Sequence, residues 1–242
     1  YKVPRWVFIS DHLPEKYKFN KIVPAFRQFA DSNADAFSDY KVRGLTARVE
    51  RFRDMITELY EDMGDPVPAF NPPEVSKSAA SDYAAQQVRN WLELSNERYD
   101  FAEWKERLEK KGIFVFMTSK YNDWSHIDKA LFRGLTLYHS SLPIIIINDS
   151  DAKKAQSFTL FHELGHLLRK ESAIDEWKEN LNQVEKWCDE FAGNVLMPTE
   201  QIRSAVDNID DINDLDAIKR IAKKFRVSPY ACLVRLRQMQ IV

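Results

Sequence analysis

The sharpest chemical signal in the chain is the run His162, Glu163, Leu164, Gly165, His166. On a helix, positions four apart lie about 40° apart around the axis. Both imidazoles can therefore reach one point beside the helix, as a shared metal ion requires. Glu163 lies on the same broad arc and can approach a water at that ion without ligating the metal. A metal that activates water and a carboxylate that takes its proton are the parts of a hydrolase. The plain alternative is two half-buried histidines on a packing helix.

Zinc in a hydrolase takes three protein ligands and a water. Residues 181–197 read as a second helix. Val184, Trp187, Cys188, Phe191, Ala192 and Val195 form an unbroken apolar stripe along it. Glu185 and Asp189 flank that stripe together, while Lys186 and Glu190 are expected to face solvent. Glu185 follows His166 by 19 residues, enough for a turn and an antiparallel return. It is the candidate third ligand. Asp189, one turn on, is the candidate acceptor for a ligand histidine's N–H, which fixes the tautomer. Cys188 sits in mid-stripe and reads as a small buried apolar residue rather than a ligand. Tyr138 and His139 are candidate oxyanion donors. Successive strand residues face opposite sides, so at most one of them points at the site. His12 and His126 have no companion signal.

The elements that must hold these groups follow from period. Phe158, Phe161, Leu164 and Leu168 give the first helix a buried face. Upstream, 113–117 is short, β-branched and aromatic. Leu135 to Tyr138 alternate, and 143–147 is a buried-looking strand. A small sheet of about three strands followed by helices predicts an α+β fold. Two helices precede the sheet, marked by Val88, Trp91 and Leu92 and by Phe101, Trp104 and Leu108. The second ends at Lys110, Lys111 and Gly112. Earlier still, Leu45, Val49, Phe52, Ile56, Leu59 and Met63 share one helix face, with Gly64 at its C-terminal cap. Residues 25–37 read as a weaker helix after an irregular start that bears Trp6. Pro66, Pro68, Pro72 and Pro73 favour extended chain, and the domain boundary is placed there. Residues 1–75 are read as a mostly helical region for partner contact or regulation. Residues 76–242 are read as the domain that carries the metal site, with a C-terminal helix pair.

Composition excludes several classes. Among 242 residues, Lys+Arg is 35 and Asp+Glu is 37, a net charge of −2, so the chain is not a wholly basic nucleic-acid coat. The longest apolar run, 142–147, is far short of a membrane span, and no membrane partner is expected. Cys188 and Cys232 make no disulfide framework, which fits a cytoplasmic setting. The chain opens at Tyr1 and is expected to be a piece of a longer gene product. Residues 217–242 carry Lys219, Arg220, Lys223, Lys224, Arg226, Arg235 and Arg237 and no acid. A break at Arg226-Val227, then Ser228 and Pro229, outlines a basic helix-turn-helix. DNA contact is the rival role there.

His162-Glu163-x-x-His166 followed by Glu185-x-x-x-Asp189 resembles the gluzincin arrangement of thermolysin-like zinc peptidases. More closely, Phe158 to Leu168, then Glu185-x-x-Cys188-Asp189-x-Phe191-Ala192, then Leu196-Met197-Pro198, resembles the ImmA/IrrE family of metallo-endopeptidases. The strand 143–147 closed by Asn148 and the ending Val227-Ser228-Pro229 with Val234-Arg235-Leu236 also match. The resemblance covers roughly residues 80–242. Two departures stand out. The family often has Asn where this chain has Asp189, which keeps an acceptor there. It also often has an Arg-Gln-Arg-like run where this chain has Lys153 to Ser157, so no arginine role carries over. The resemblance implies a zincin-type core, zinc, a cytoplasmic bacterial or phage setting, and cleavage of a helix-turn-helix repressor. Pro4-Arg5-Trp6 and Phe26-Arg27 resemble the joining region of members with an upstream DNA-binding domain, a second route to DNA. The alternative function is a DNA- or repressor-binding regulatory module whose metal site senses or stabilises rather than cuts.

Overall fold

Short β-branched runs bounded by turns form strands, and the longer periodic runs form helices. A computed structural model describes residues 25–26, 40–76, 78–95, 97–118, 133–169, 181–207, 209, 211–212 and 214–242. In chain order the elements are β1 (Ala25–Phe26), α1 (Tyr40–Met63), α2 (Ser81–Trp91), α3 (Phe101–Lys110), β2 (Phe114–Met117), β3 (Gly134–Leu137) and β4 (Ile144–Ile147). Then come α4 (Lys153–Arg169), α5 (Leu181–Leu196), α6 (Thr199–Val206), α7 (Leu215–Lys224) and α8 (Pro229–Gln238). The fold is α+β, as expected.

The sheet order is β1-β3-β4-β2. β3 and β4 pair antiparallel, with Gly134 opposite Ile147 and Thr136 opposite Ile145. β2 runs parallel to β4. The period of two divides the strands cleanly. Leu135, Leu137, Ile144 and Ile146 meet Val42, Leu45 and Val49 of α1 on one face. Val115, Met117, Ile145 and Ile147 join Leu160, Phe161 and Leu164 of α4 in the other cluster. Every residue of β3 and β4 is therefore buried, because both faces are covered.

β1 corrects one expectation. Ala25 and Phe26 are read as helical from sequence, yet they pair antiparallel with Thr136 and Leu135. The remainder of 25–37 and the Trp6-bearing start lie outside the described residues, as do His12 and His126. The apolar stripe of α1 also behaves differently along its length. Leu45 and Val49 are buried and Phe52 meets the rings of Phe114 and Phe116 in β2, whereas further along Leu59 is 52% and Met63 61% exposed. The helix stops as expected at Gly64, which takes φ +73° and donates to the Glu61 carbonyl, while Asp65 donates to the Tyr60 carbonyl. The Pro-rich link is extended, and Phe70 donates to the Ser140 carbonyl at 2.9 Å. Across this link, the Arg53 guanidinium of α1 donates to the carbonyls of Ser141 and Leu142.

α3 starts with a reciprocal cap in which Asp100 and Glu103 each accept the other's backbone N–H. At the C-terminal end, Ser228 caps α8 through Ala231 N–H, with Pro229 in the first turn. Arg235 is not a surface cation: it is buried and donates to the Met197 carbonyl and the Thr199 hydroxyl. Arg226 stands near Asp100 and Glu103 at 3.9 and 4.0 Å. No helix among the described residues is long and apolar enough to cross a membrane.

Candidate metal centre

α4 is buried along almost its whole length, between the sheet and α5. α5 presents the expected stripe, with Cys188, Phe191, Ala192 and Val195 at 0% exposure. Trp187 is partly exposed, stacks on Phe191 and donates its indole N–H to the Ala79 carbonyl. Arg89 of α2 donates to the Val195 carbonyl at 2.8 Å near the end of α5. Asn194 donates to the Ser81 hydroxyl, which donates to Glu190 at 3.3 Å. Glu190 is thus tied to α2 rather than simply facing solvent. These bonds fix α5 against α2 and so fix where Glu185 reaches.

His162, His166 and Glu185 come together as the spacing predicts. The two Nε2 atoms are 3.2 Å apart. Glu185 places Oε2 at 3.1 Å from His162 Nε2 and Oε1 at 3.3 Å from His166 Nε2. A tetrahedral ion with bonds of about 2.0–2.1 Å separates its ligand atoms by about 3.3 Å. Each separation suits a pair of ligand atoms on such an ion, and two imidazoles with one carboxylate form a donor set suited to zinc. Cys188 is buried in the stripe and is not part of the group.

Electrostatics agrees with that arrangement. Burial pushes the Glu185 carboxyl up, but hydrogen bonds from both histidines and their charge outweigh it and hold it well below the usual carboxylate range. Asp189 accepts at 2.9 Å from His162 Nδ1. A carboxylate can only accept, so Nδ1 carries a proton, and Nε2 would give up its own proton to present a lone pair to a metal held there.

Glu163 is 0% exposed and packs under β3. The Thr136 hydroxyl donates to Oε2 at 2.6 Å and also lies 3.1 Å from the Glu163 backbone carbonyl. Oε1 is buried and has no hydrogen-bond partner among the described residues. Burial raises the Glu163 pKa, opposed by the histidines and by the Thr136 bond. A Cβ on Gly134 would fall 2.5 Å from Oε1, so the strand approaches this closely only because residue 134 is glycine. Sequence reasoning missed Gly134 and Thr136. The available signal was that they share one strand face with Tyr138.

Tyr138 packs partly buried on the α4 side of the sheet. His139 emerges on the other side, where its Nε2 meets Glu50 of α1 at 3.1 Å. Of the two candidate oxyanion donors, the alternation leaves Tyr138 on the α4 side and takes His139 away.

No curated protein sequence matches the chain. Residues 108–237 match the sequence profile of peptidase family M78, described as the IrrE N-terminal-like domain. The match runs from the end of α3 into α8 and takes in the whole sheet apart from β1, together with the His162, His166 and Glu185 group. It spans more than half of the chain, which therefore belongs to that peptidase family.

Proposed function

We propose that the chain is a zinc-dependent endopeptidase that cleaves a helix-turn-helix repressor protein. The observation that supports this best is the cluster of His162, His166 and Glu185, with the two Nε2 atoms 3.2 Å apart and a different Glu185 oxygen at 3.1 and 3.3 Å from each, beside the buried Glu163. His162 and His166 would hold the ion from α4 and Glu185 from α5. Asp189 orients His162. Zinc bound there supplies Lewis acidity, which makes water a nucleophile near neutral pH and polarises a peptide carbonyl. Glu163 takes the proton of the attacking water at Oε1, the oxygen without a partner, and passes it to the leaving amine. Burial favours this role because it moves a carboxyl pKa toward the operating range of a base. The repressor substrate is supported by the resemblance to ImmA/IrrE peptidases.

Co-expression with the repressor encoded beside its gene tests the proposal. A cut that depends on Glu163 and on metal is the expected result. A zinc-loaded parent that leaves the repressor whole would move the reading to a regulatory metal site.

A further inference from the structure

We propose that Thr136 is the positioning residue for Glu163, with Gly134 opening the space in which it acts. The inference rests on the reading of Glu163 as the general base. A threonine in a buried strand has an ordinary explanation, since β-branched residues suit strands and a buried hydroxyl needs one acceptor. The Glu163 carbonyl alone, at 3.1 Å, would meet that need. The hydroxyl instead lies closer to the carboxylate, at 2.6 Å from Oε2, the length of a charge-assisted bond. Both acceptors belong to Glu163, so one hydroxyl spans its backbone and its side-chain end.

This contact sets how the carboxylate is turned. Oε2 is engaged by Thr136, and Oε1 is left without a partner. Gly134 stands two positions earlier on the same strand face, against Oε1 and Cγ, where a Cβ would approach to 2.5 and 2.8 Å. The pairing of Gly134 with Ile147 and of Thr136 with Ile145 holds both residues at fixed places on β3. β3 is therefore a rigid floor for the carboxylate, with Oε2 held by the Thr136 hydroxyl and Oε1, the oxygen without a partner among the described residues, seated over Gly134. A free carboxylate would rotate between orientations, and misplacement by about 1 Å costs on the order of 100-fold in rate.

The test compares Thr136→Val, which keeps the shape and removes the donor, with Thr136→Ser, which keeps the donor. Zinc content, Tm, crystal structures of the zinc-loaded proteins, and kcat and KM on fluorescein-labelled casein are measured. In Thr136→Val, kcat should fall about 10- to 100-fold with KM within about twofold and zinc content unchanged. The Glu163 carboxylate should turn away from its parent position. Thr136→Ser should recover kcat to within about threefold of the parent. In a Glu163→Gln background, Thr136→Val should lower the residual rate no further. Thr136→Cys, which keeps the size and weakens the donor, carries the same comparison if Thr136→Val fails to fold. An unmoved carboxylate, or an equal loss in the Glu163→Gln background, overturns the proposal. A parent that cuts neither casein nor the repressor encoded beside its gene, with the carboxylate still turned by Thr136→Val, overturns the peptidase reading and leaves the positioning role standing.

Discussion

Gly165 of α4 meets Cys188 of α5 so closely that a Cβ on Gly165 would lie 3.0 Å from the cysteine Sγ and 3.3 Å from a ring carbon of Phe191. The contact lies in the same helical turn as His166 and one turn from Glu185. The helix that carries both histidines and the helix that carries Glu185 approach so closely here that any side chain at 165 would force Cys188 or Phe191 to shift. Gly165→Val should therefore lower unfolding stability by about 1–3 kcal/mol through overpacking and weaken zinc binding as well. Urea unfolding and a zinc competition titration measure the two effects. Adding Cys188→Ala removes the nearest clashing atom and should return part of both losses, since residues in contact couple. If the two changes simply add, the helices are not held apart at this point.

Loss of one ligand should abolish the metal site without unfolding the protein. His166→Ala should contain far less than one zinc per chain after dialysis. Zinc at about 100 times its Kd should stabilise the parent by about 2.7 kcal/mol, and EDTA should remove that gain. The Tm of His166→Ala should not respond to EDTA. A variant that still binds one zinc tightly would show that the ion sits elsewhere.

Asp189 meets the metal group through His162 Nδ1, and its side chain is 48% exposed. Asp189→Ala should weaken zinc affinity by about 10- to 100-fold while every ligand remains. Asp189→Asn keeps an acceptor oxygen and should lose much less. Equal affinities in all three proteins would make Asp189 an ordinary surface acid.

Leu45 is 1% exposed and packs with Val42 and Val49 on Leu135, Leu137, Ile144 and Ile146. Leu45→Ala should cost about 2–5 kcal/mol. The loss should appear in the same cooperative transition that releases zinc, because α1 and α4 share one sheet between them. Removal of residues 1–75 would uncover those strand residues and should produce aggregation. A truncated chain that stays monomeric and binds zinc would instead make residues 1–75 a separate unit, as the Pro-rich link suggests.

The metal group was legible in the sequence because its geometry is local. Two histidines four apart must share a helix face, and Glu185 and Asp189 four apart must share another. The apolar stripes beside them require the two helices to bury those faces. The strand runs and the stop at Gly64 were legible for the same reason, since period and turn chemistry act within a few residues. The tertiary structure decided what depends on which strand lies beside which helix. Thr136 and Glu163 are 27 positions apart, and no periodicity links them. His139 and Glu50 are 89 apart, and their contact follows from α1 lying on one face of the sheet. The seating of Ala25 and Phe26 beside β3, and the exposure of Leu59 and Met63 at the end of the α1 stripe, are likewise set by what packs against what. Hydrophobic pattern selects a face and a period, but its partner is chosen by the packing of the whole core.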